Sequence, residues 1–159
     1  MVHVSVPIEI RPLADHPEAI PTLAEWFSQE WNDYDKRTRL EIEEQLRQNL
    51  GRDSVPITFV AIQNSQIIGT VSLDLSDLPP YDHLFSPWVA SLYVPPAFRR
   101  RGVGRSLVSH VIDYARSKRL PRIYLWTPGS PGFYEKCGWR VLLATTYSSR
   151  PITVLQFAA

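Results

Sequence analysis

The stretch from Trp88 to Leu107, WVASLYVPPAFRRRGVGRSL, constrains the fold more than any other part of the chain. It opens as an apolar strand, stops at Pro95-Pro96, crosses three consecutive arginines and enters a helix through Gly102-Val103-Gly104. A strand that feeds a helix through a glycine-bearing turn leaves the first N–H groups of that helix without partners. Those groups, with the positive end of the helix dipole, favour an anion, typically phosphate. Glycine at 102 and 104 lets the main chain approach a ligand closely, because no Cβ stands in the way. The side chains of Arg99, Arg100, Arg101 and Arg105 add positive charge around the same spot.

Two common phosphate loops fail against this stretch. The dinucleotide pattern G-x-G-x-x-G needs a small residue at 107, where the chain has leucine, and the Gly-Lys-Ser/Thr of the triphosphate loop is absent. What remains is Arg99-x-x-Gly102-x-Gly104 behind a strand. At 159 residues the chain has the length of one domain, expected to span 1–159. A formal net charge of +1 argues against a dedicated nucleic-acid binder. The single cysteine, Cys137, excludes an internal disulfide and fits a reducing compartment. The opening MVHVSVPIEIRP carries no long apolar run, so neither a signal peptide nor a membrane span is expected there. A cytoplasmic protein with no membrane partner is the expectation.

Periodicity predicts the remaining elements. His3 to Ile10 alternates and reads as a first strand. Ile20, Leu23, Ala24, Phe27 and Trp31 recur at helical spacing. A second helix starts at Thr38, which has capping-box spacing to Glu41, and Gly51 stands where a helix stop belongs. Strands follow at Ile57 to Ile62 and Gln66 to Leu75, turning at Asn64-Ser65. A loop covers 76–86, and the strand Trp88 to Val94 leads through the glycine turn into a long helix. In that helix Leu107, Val108, Val111, Ile112 and Ala115 form one apolar stripe. A strand at Arg122 to Thr127, a short helix at Pro131 to Lys136 with Ser130 as N-cap, and a hairpin of Trp139 to Tyr147 with Ile152 to Phe157 complete the α/β pattern.

The Arg99-x-x-Gly102-x-Gly104 motif resembles the coenzyme-A-binding signature of the GCN5-related N-acetyltransferase (GNAT) superfamily. Gly132-Phe133-Tyr134-Glu135-Lys136-Cys137-Gly138-Trp139 is similar to its second landmark, and the element order β-α-α-β-β-β-α-β-α-β-β matches across essentially the whole chain. The resemblance implies a central mixed sheet flanked by about four helices, acetyl-CoA as cosubstrate, and acetyl transfer to a primary amine of a small molecule or a peptide N-terminus by direct attack in a ternary complex. No metal and no nucleic-acid partner are expected. Whether the protein forms a homodimer stays open.

The resemblance also implies site residues. Main-chain N–H groups of Arg100, Arg101, Gly102, Val103, Gly104 and Arg105 would cradle a pyrophosphate, with Arg99 shaping the turn. Leu92, Tyr93 and Val94 would flank the pantetheine arm, with Thr127 or Ser130 touching it, and Tyr134 would be the general acid toward the departing thiolate. Many relatives place a carboxylate base on the central strand. This chain has Trp88, Ala90 and Ser91 there, leaving Glu30, Asp33, Asp74, Asp82 and His83 as substitutes. The acceptor groove would draw on Trp26, Trp31, Tyr34, Tyr81, Trp88, Trp126 and Tyr147, with Asp33, Asp35 and Asp82. Two other readings stay open: a CoA-binding sensor or structural module without chemistry, and RNA binding through the arginine-rich turn.

Overall fold

A computed structural model describes residues 6–32 and 36–159. His3, the start of the predicted first strand, and Asp33, Tyr34 and Asp35 lie outside the described residues. Among the described residues, seven strands form one sheet: β1 (Glu9–Pro12), β2 (Ile57–Gln63), β3 (Gln66–Asp74), β4 (Trp88–Tyr93), β5 (Arg122–Thr127), β6 (Arg140–Tyr147) and β7 (Arg150–Ala158). Four α-helices among the same residues accompany it: α1 (Ile20–Glu30), α2 (Arg39–Gln48), α3 (Val103–Ser117) and α4 (Gly132–Lys136). The spatial order is β1-β2-β3-β4-β5-β7-β6, and every neighbouring pair is antiparallel except β4 and β5. This is the mixed sheet that the family resemblance implies.

Alternation along β2 divides the core. Successive side chains of a strand point to opposite faces. Val60 joins Leu23, Phe27, Ile42 and Leu46 of α1 and α2 on one face. Phe59 and Ala61 join the α3 stripe of Leu107, Val108, Val111 and Ala115 on the other. Leu78, in the loop after β3, is fully buried against Trp88, Tyr124 and Val154. That third cluster ties the loop to the middle of the sheet.

Local chemistry explains most boundaries. Thr38 Oγ1 accepts the Glu41 N–H at 3.2 Å, and Glu41 Oε1 accepts the Thr38 N–H at 3.3 Å, a complete capping box. Both two-residue hairpin turns take positive φ at both positions, Asn64 (52°) and Ser65 (62°), then Ser148 (50°) and Ser149 (61°). That geometry matches the twist of the flanking strands. Two expectations shift. Among the described residues, pairing of β1 begins at Glu9, after Pro7, which has no N–H for a ladder. Helix α2 stops at Gln48 with Asn49 as its C-cap, ahead of Gly51, because the Asn49 amide is drawn to Thr58 (3.2 Å) and Asp74 (2.7 Å). No helix among the described residues is long and apolar enough to cross a membrane.

Candidate active site

The sheet opens at its centre. Strands β4 and β5 meet at one register pair, Trp88 with Tyr124, beside the Tyr124 N–H bond to the Pro87 carbonyl at 3.0 Å. Beyond that pair they diverge, and β4 carries a bulge on its other flank. Thr70 pairs with Tyr93 but Ser72 pairs with Ala90, so β4 holds one extra residue, and Ser91 within it has φ 56°. A bulge bends its strand and ends regular pairing. A cleft of about 610 Å³ lies here, with Ser91 and Leu92 of β4, Trp126 and Thr127 of β5, Asp77 and Tyr134 on its walls.

The mouth of α3 is built as the sequence predicts. Gly102 is the N-cap residue in the left-handed region at φ 80°, and no side chain caps the helix. The first turn bond is Ser106 N–H to Gly102 O at 3.0 Å, so the N–H groups at the start of α3 precede any intrahelical partner. A Cβ on Gly102 would meet nothing within 4 Å, so its requirement for glycine is the backbone angle alone. Arg100 also takes positive φ (64°). Arg99, though exposed, folds back on β4: its Nε donates to the Val94 carbonyl at 2.7 Å and its guanidinium lies 5.6 Å from the Tyr93 ring. Arg101 lies over Phe98 at 5.8 Å, while Arg100 and Arg105 are exposed.

Other predicted residues divide. Leu92, Thr127 and Tyr134 reach the cleft together. Tyr93 instead faces α1, its ring 5.3 Å from Trp26 and 6.1 Å from Trp31. Val94 packs toward the α3 side of the core. Ser130 is exposed, does not line the cleft, and accepts the Gly132 N–H at 3.4 Å, one residue before the N-cap position, which Pro131 fills. Thr127 Oγ1 accepts the Gly129 N–H at 3.2 Å. The Tyr134 ring packs edge-on against Trp139 (6.4 Å) and Phe133 (5.1 Å). Burial, with Cys137 nearby, pushes its hydroxyl up to about 12, so it is protonated at neutral pH.

Of the substitute bases, Glu30 and Asp82 line the cleft and His83 lies exposed in the loop. Asp82 Oδ1 is engaged, accepting the N–H groups of Asp77 (2.9 Å) and Leu78 (3.0 Å). Asp74 is buried and faces a neighbouring cleft of about 440 Å³ beside α2. Burial raises its carboxyl to about 6 against the opposing Asn49 hydrogen bond. Sequence reasoning passed over Asp77. Its Oδ2 accepts the Trp126 indole N–H at 2.8 Å, and burial, then the Asp74 charge, raise its carboxyl to about 7. Of the predicted acceptor wall, Trp31, Trp126 and Tyr147 line the cleft. Trp88 is fully buried, and the Tyr81 hydroxyl donates to Thr145 Oγ1 at 3.3 Å.

Comparison with known proteins bears on the family and the fold. The family model for the acetyltransferase (GNAT) family matches residues 20–139. Among curated proteins, the uncharacterized N-acetyltransferase MJ1207 of Methanocaldococcus jannaschii is 27% identical over 85 residues, covering 51% of this chain. The match spans 38% of that relative's length. Among solved structures, a ribosomal-protein-alanine N-acetyltransferase from Brucella melitensis superposes with a TM-score of 0.75 at 18% identity, covering 95% of this chain and 99% of the other. An aminoglycoside 6'-N-acetyltransferase complexed with coenzyme A superposes at 0.72 and 15% identity, covering 94% and 96%. Likeness at such identities speaks for the fold, and the family model speaks for descent. The chain belongs to the GNAT acetyltransferase family.

Proposed function

We propose that the protein is an acetyl-CoA-dependent N-acetyltransferase that modifies a primary amine of a small molecule or peptide, the amine attacking directly within a ternary complex. The observation that carries this reading is one juxtaposition. A helix mouth with no side-chain cap is reached, through the turn of residues 94–102, from a strand whose partner has parted from it, and the parting forms the cleft that Tyr134 lines.

The residues present fit a CoA thioester. N–H groups from Arg100 to Arg105 would hold the pyrophosphate, helped by the α3 dipole and by the open space over Gly102. The parted edge of β4 from Val89 to Tyr93 would take the pantetheine arm as an added strand takes a sheet edge. When bound, acetyl-CoA supplies the activated acyl group. Leu92 and Thr127, which line the cleft, would border its path, and Tyr134 would offer an O–H to the sulfur. A main-chain N–H at the Ser91 bulge is suited to polarising the acyl carbonyl.

Direct attack is favoured over an acetyl-cysteine relay. Burial raises the Cys137 thiol above its ordinary value, which disfavours the thiolate, and Cys137 does not line the cleft. The acceptor side supports an amine. Trp31, Trp126 and Tyr147 give aromatic walls, with Glu30 and Asp77 as carboxylates. The related structures include an aminoglycoside and a ribosomal-protein-alanine acetyltransferase, so this fold serves both small and peptide amines.

A second reading, a CoA-binding module without catalysis, is favoured by one observation. The β4 wall of the cleft is Val89, Ala90, Ser91 and Leu92, none of them titratable. Thiol release from acetyl-CoA against kanamycin, spermidine and short peptides with different N-termini decides between the readings. Acetylated product from at least one acceptor is expected. Tight acetyl-CoA binding with no product across the panel would select the module, and no binding at millimolar concentration would dismiss both.

A further inference from the structure

We propose that Asp77 is the catalytic base of this protein: its free carboxylate oxygen takes the proton from the acceptor amine, while the Trp126 indole holds the other oxygen in place. The assignment rests on the acetyl-transfer reading above. Three observations carry it.

The first is position. Asp77 lines the same cleft as Ser91 and Tyr134 although it belongs to the loop after β3, not to the strand where the fold's relatives are expected to carry a carboxylate. The second is restraint. Oδ2 accepts the Trp126 N–H at 2.8 Å, the same N–H lies 3.3 Å from the Asp77 carbonyl, and the Asp77 N–H donates to Asp82 at 2.9 Å. Oδ1 has no hydrogen-bond partner among the described residues. One oxygen is thus anchored from a strand and the other is left for a ligand, which is how a proton acceptor is held in place. The third is elimination among neighbours. Asp82 is committed to two main-chain N–H groups, Asp74 is bound to Asn49 in the adjoining cleft, and Glu30 is exposed at the end of α1.

The electrostatic setting agrees. Among the described residues, the charged or titratable groups around Asp77 are Asp74, Asp82, Glu30, Arg37, Tyr134 and Tyr147. Asp74 and Asp82 raise its carboxyl, and Arg37 and the Trp126 hydrogen bond lower it. With burial as the largest influence, the balance rests at about 7. An alkylammonium loses its proton near 10.4, so a carboxylate at 7 closes much of the gap that an ordinary one would leave. A base with its pKa near working pH is the efficient choice.

The step balances as follows. The ammonium N–H bond breaks, its proton bonds to Asp77 Oδ1, and the nitrogen keeps the electron pair. That pair forms the N–C bond at the acyl carbon while the C–S bond breaks and its electrons leave on sulfur. The nitrogen gives up one further proton, which neutralises the thiolate. Asp77 returns its own proton to solvent through the cleft.

The test is the pH dependence of kcat/KM for thiol release with kanamycin, spermidine and an N-terminal-alanine peptide. The unaltered protein is expected to gain activity as pH rises through about 7 and then level off. Asp77→Asn should bind acetyl-CoA as before, lose about 100-fold or more in kcat, and lose the inflection. Asp77→Glu should restore an inflection. Trp126→Phe removes a bond that lowers the carboxyl and should move the inflection upward, while Asp74→Asn removes a repelling charge and should move it downward. A folded Asp77→Asn with the original inflection and near-normal kcat overturns the assignment. Should that variant fail to fold, an unmoved inflection in both Trp126→Phe and Asp74→Asn overturns it instead. No turnover by the unaltered protein overturns the acetyl-transfer reading and this assignment with it.

Discussion

Tyr134 illustrates how surroundings decide what a side chain can contribute. Its hydroxyl, raised to about 12 by burial, holds its proton more firmly than an ordinary thiol near 8.5 does. In the proposed transfer it would therefore serve a departing thiolate better as a hydrogen-bond donor than by full transfer. A bond of that type to a charged group is worth about 1.5–3 kcal/mol. Tyr134→Phe is accordingly expected to lower kcat about 10- to 100-fold with little change in acetyl-CoA affinity, as steady-state kinetics and calorimetry would measure. An equal loss in affinity would instead mark the phenol as a binding group. Tyr134 could be singled out as a candidate in the sequence because of its neighbours along the chain. Asp77 could not, because its hydrogen-bond partner Trp126 is 49 positions away. The segment Ser76-Asp77-Leu78-Pro79-Pro80 reads locally as a loop and nothing more.

Among the elements, α3 and β3 are coupled most tightly at Gly69. A Cβ there would stand 3.0 Å from Leu107 Cδ1, 3.1 Å from Val103 Cγ1 and 3.3 Å from the Tyr93 carbonyl. Val103 is the first residue of α3, so pressure at Gly69 is delivered to the turn proposed to hold pyrophosphate. Gly69→Ala should cost about 1–3 kcal/mol in urea unfolding and weaken acetyl-CoA binding measured by titration. Retained affinity in the destabilised variant would show that the helix mouth is insulated from the sheet beneath it. The elements themselves were largely legible, because a buried stripe such as Leu107-Val108-Val111-Ile112-Ala115 and a capping box such as Thr38/Glu41 are local patterns. The bulge at Ser91 was hidden, since Val89-Ala90-Ser91-Leu92 alternates no differently from a regular strand. The early end of α2 was hidden for a related reason. It is set by Thr58 and Asp74, which only the folded sheet brings to Asn49.

At the scale of the whole molecule, the carboxylates of Asp74 and Asp77 set a dependence of stability on pH. Both titrate higher when folded, at about 6 and about 7, than the 3.8 of an exposed aspartate. Between those limits the folded chain binds more protons than the unfolded one, so stability falls as pH rises through the window. The contribution is fully favourable below about 4 and fully lost above about 7. The loss is on the order of 3 kcal/mol for Asp74 and about 4 kcal/mol for Asp77. His110 acts in the opposite sense, since burial beside Phe59 lowers it and favours its neutral form as pH rises. Two carboxylates outweigh one imidazole, so urea midpoints should be higher at about pH 5 than at about pH 8. Asp74→Asn should flatten the difference, and a slope unchanged by that substitution would place the proton uptake elsewhere.

The divergence of β4 from β5 beyond Trp88 carries a thermodynamic corollary. A continuous ladder would spend its main-chain groups on itself, whereas this one is interrupted between its fourth and fifth members. Whatever fills the gap completes an unfinished secondary structure, and by mass action the folded population grows with its concentration. The protein thereby trades some intrinsic cohesion for a seat, and its robustness becomes tied to the supply of the molecule it uses.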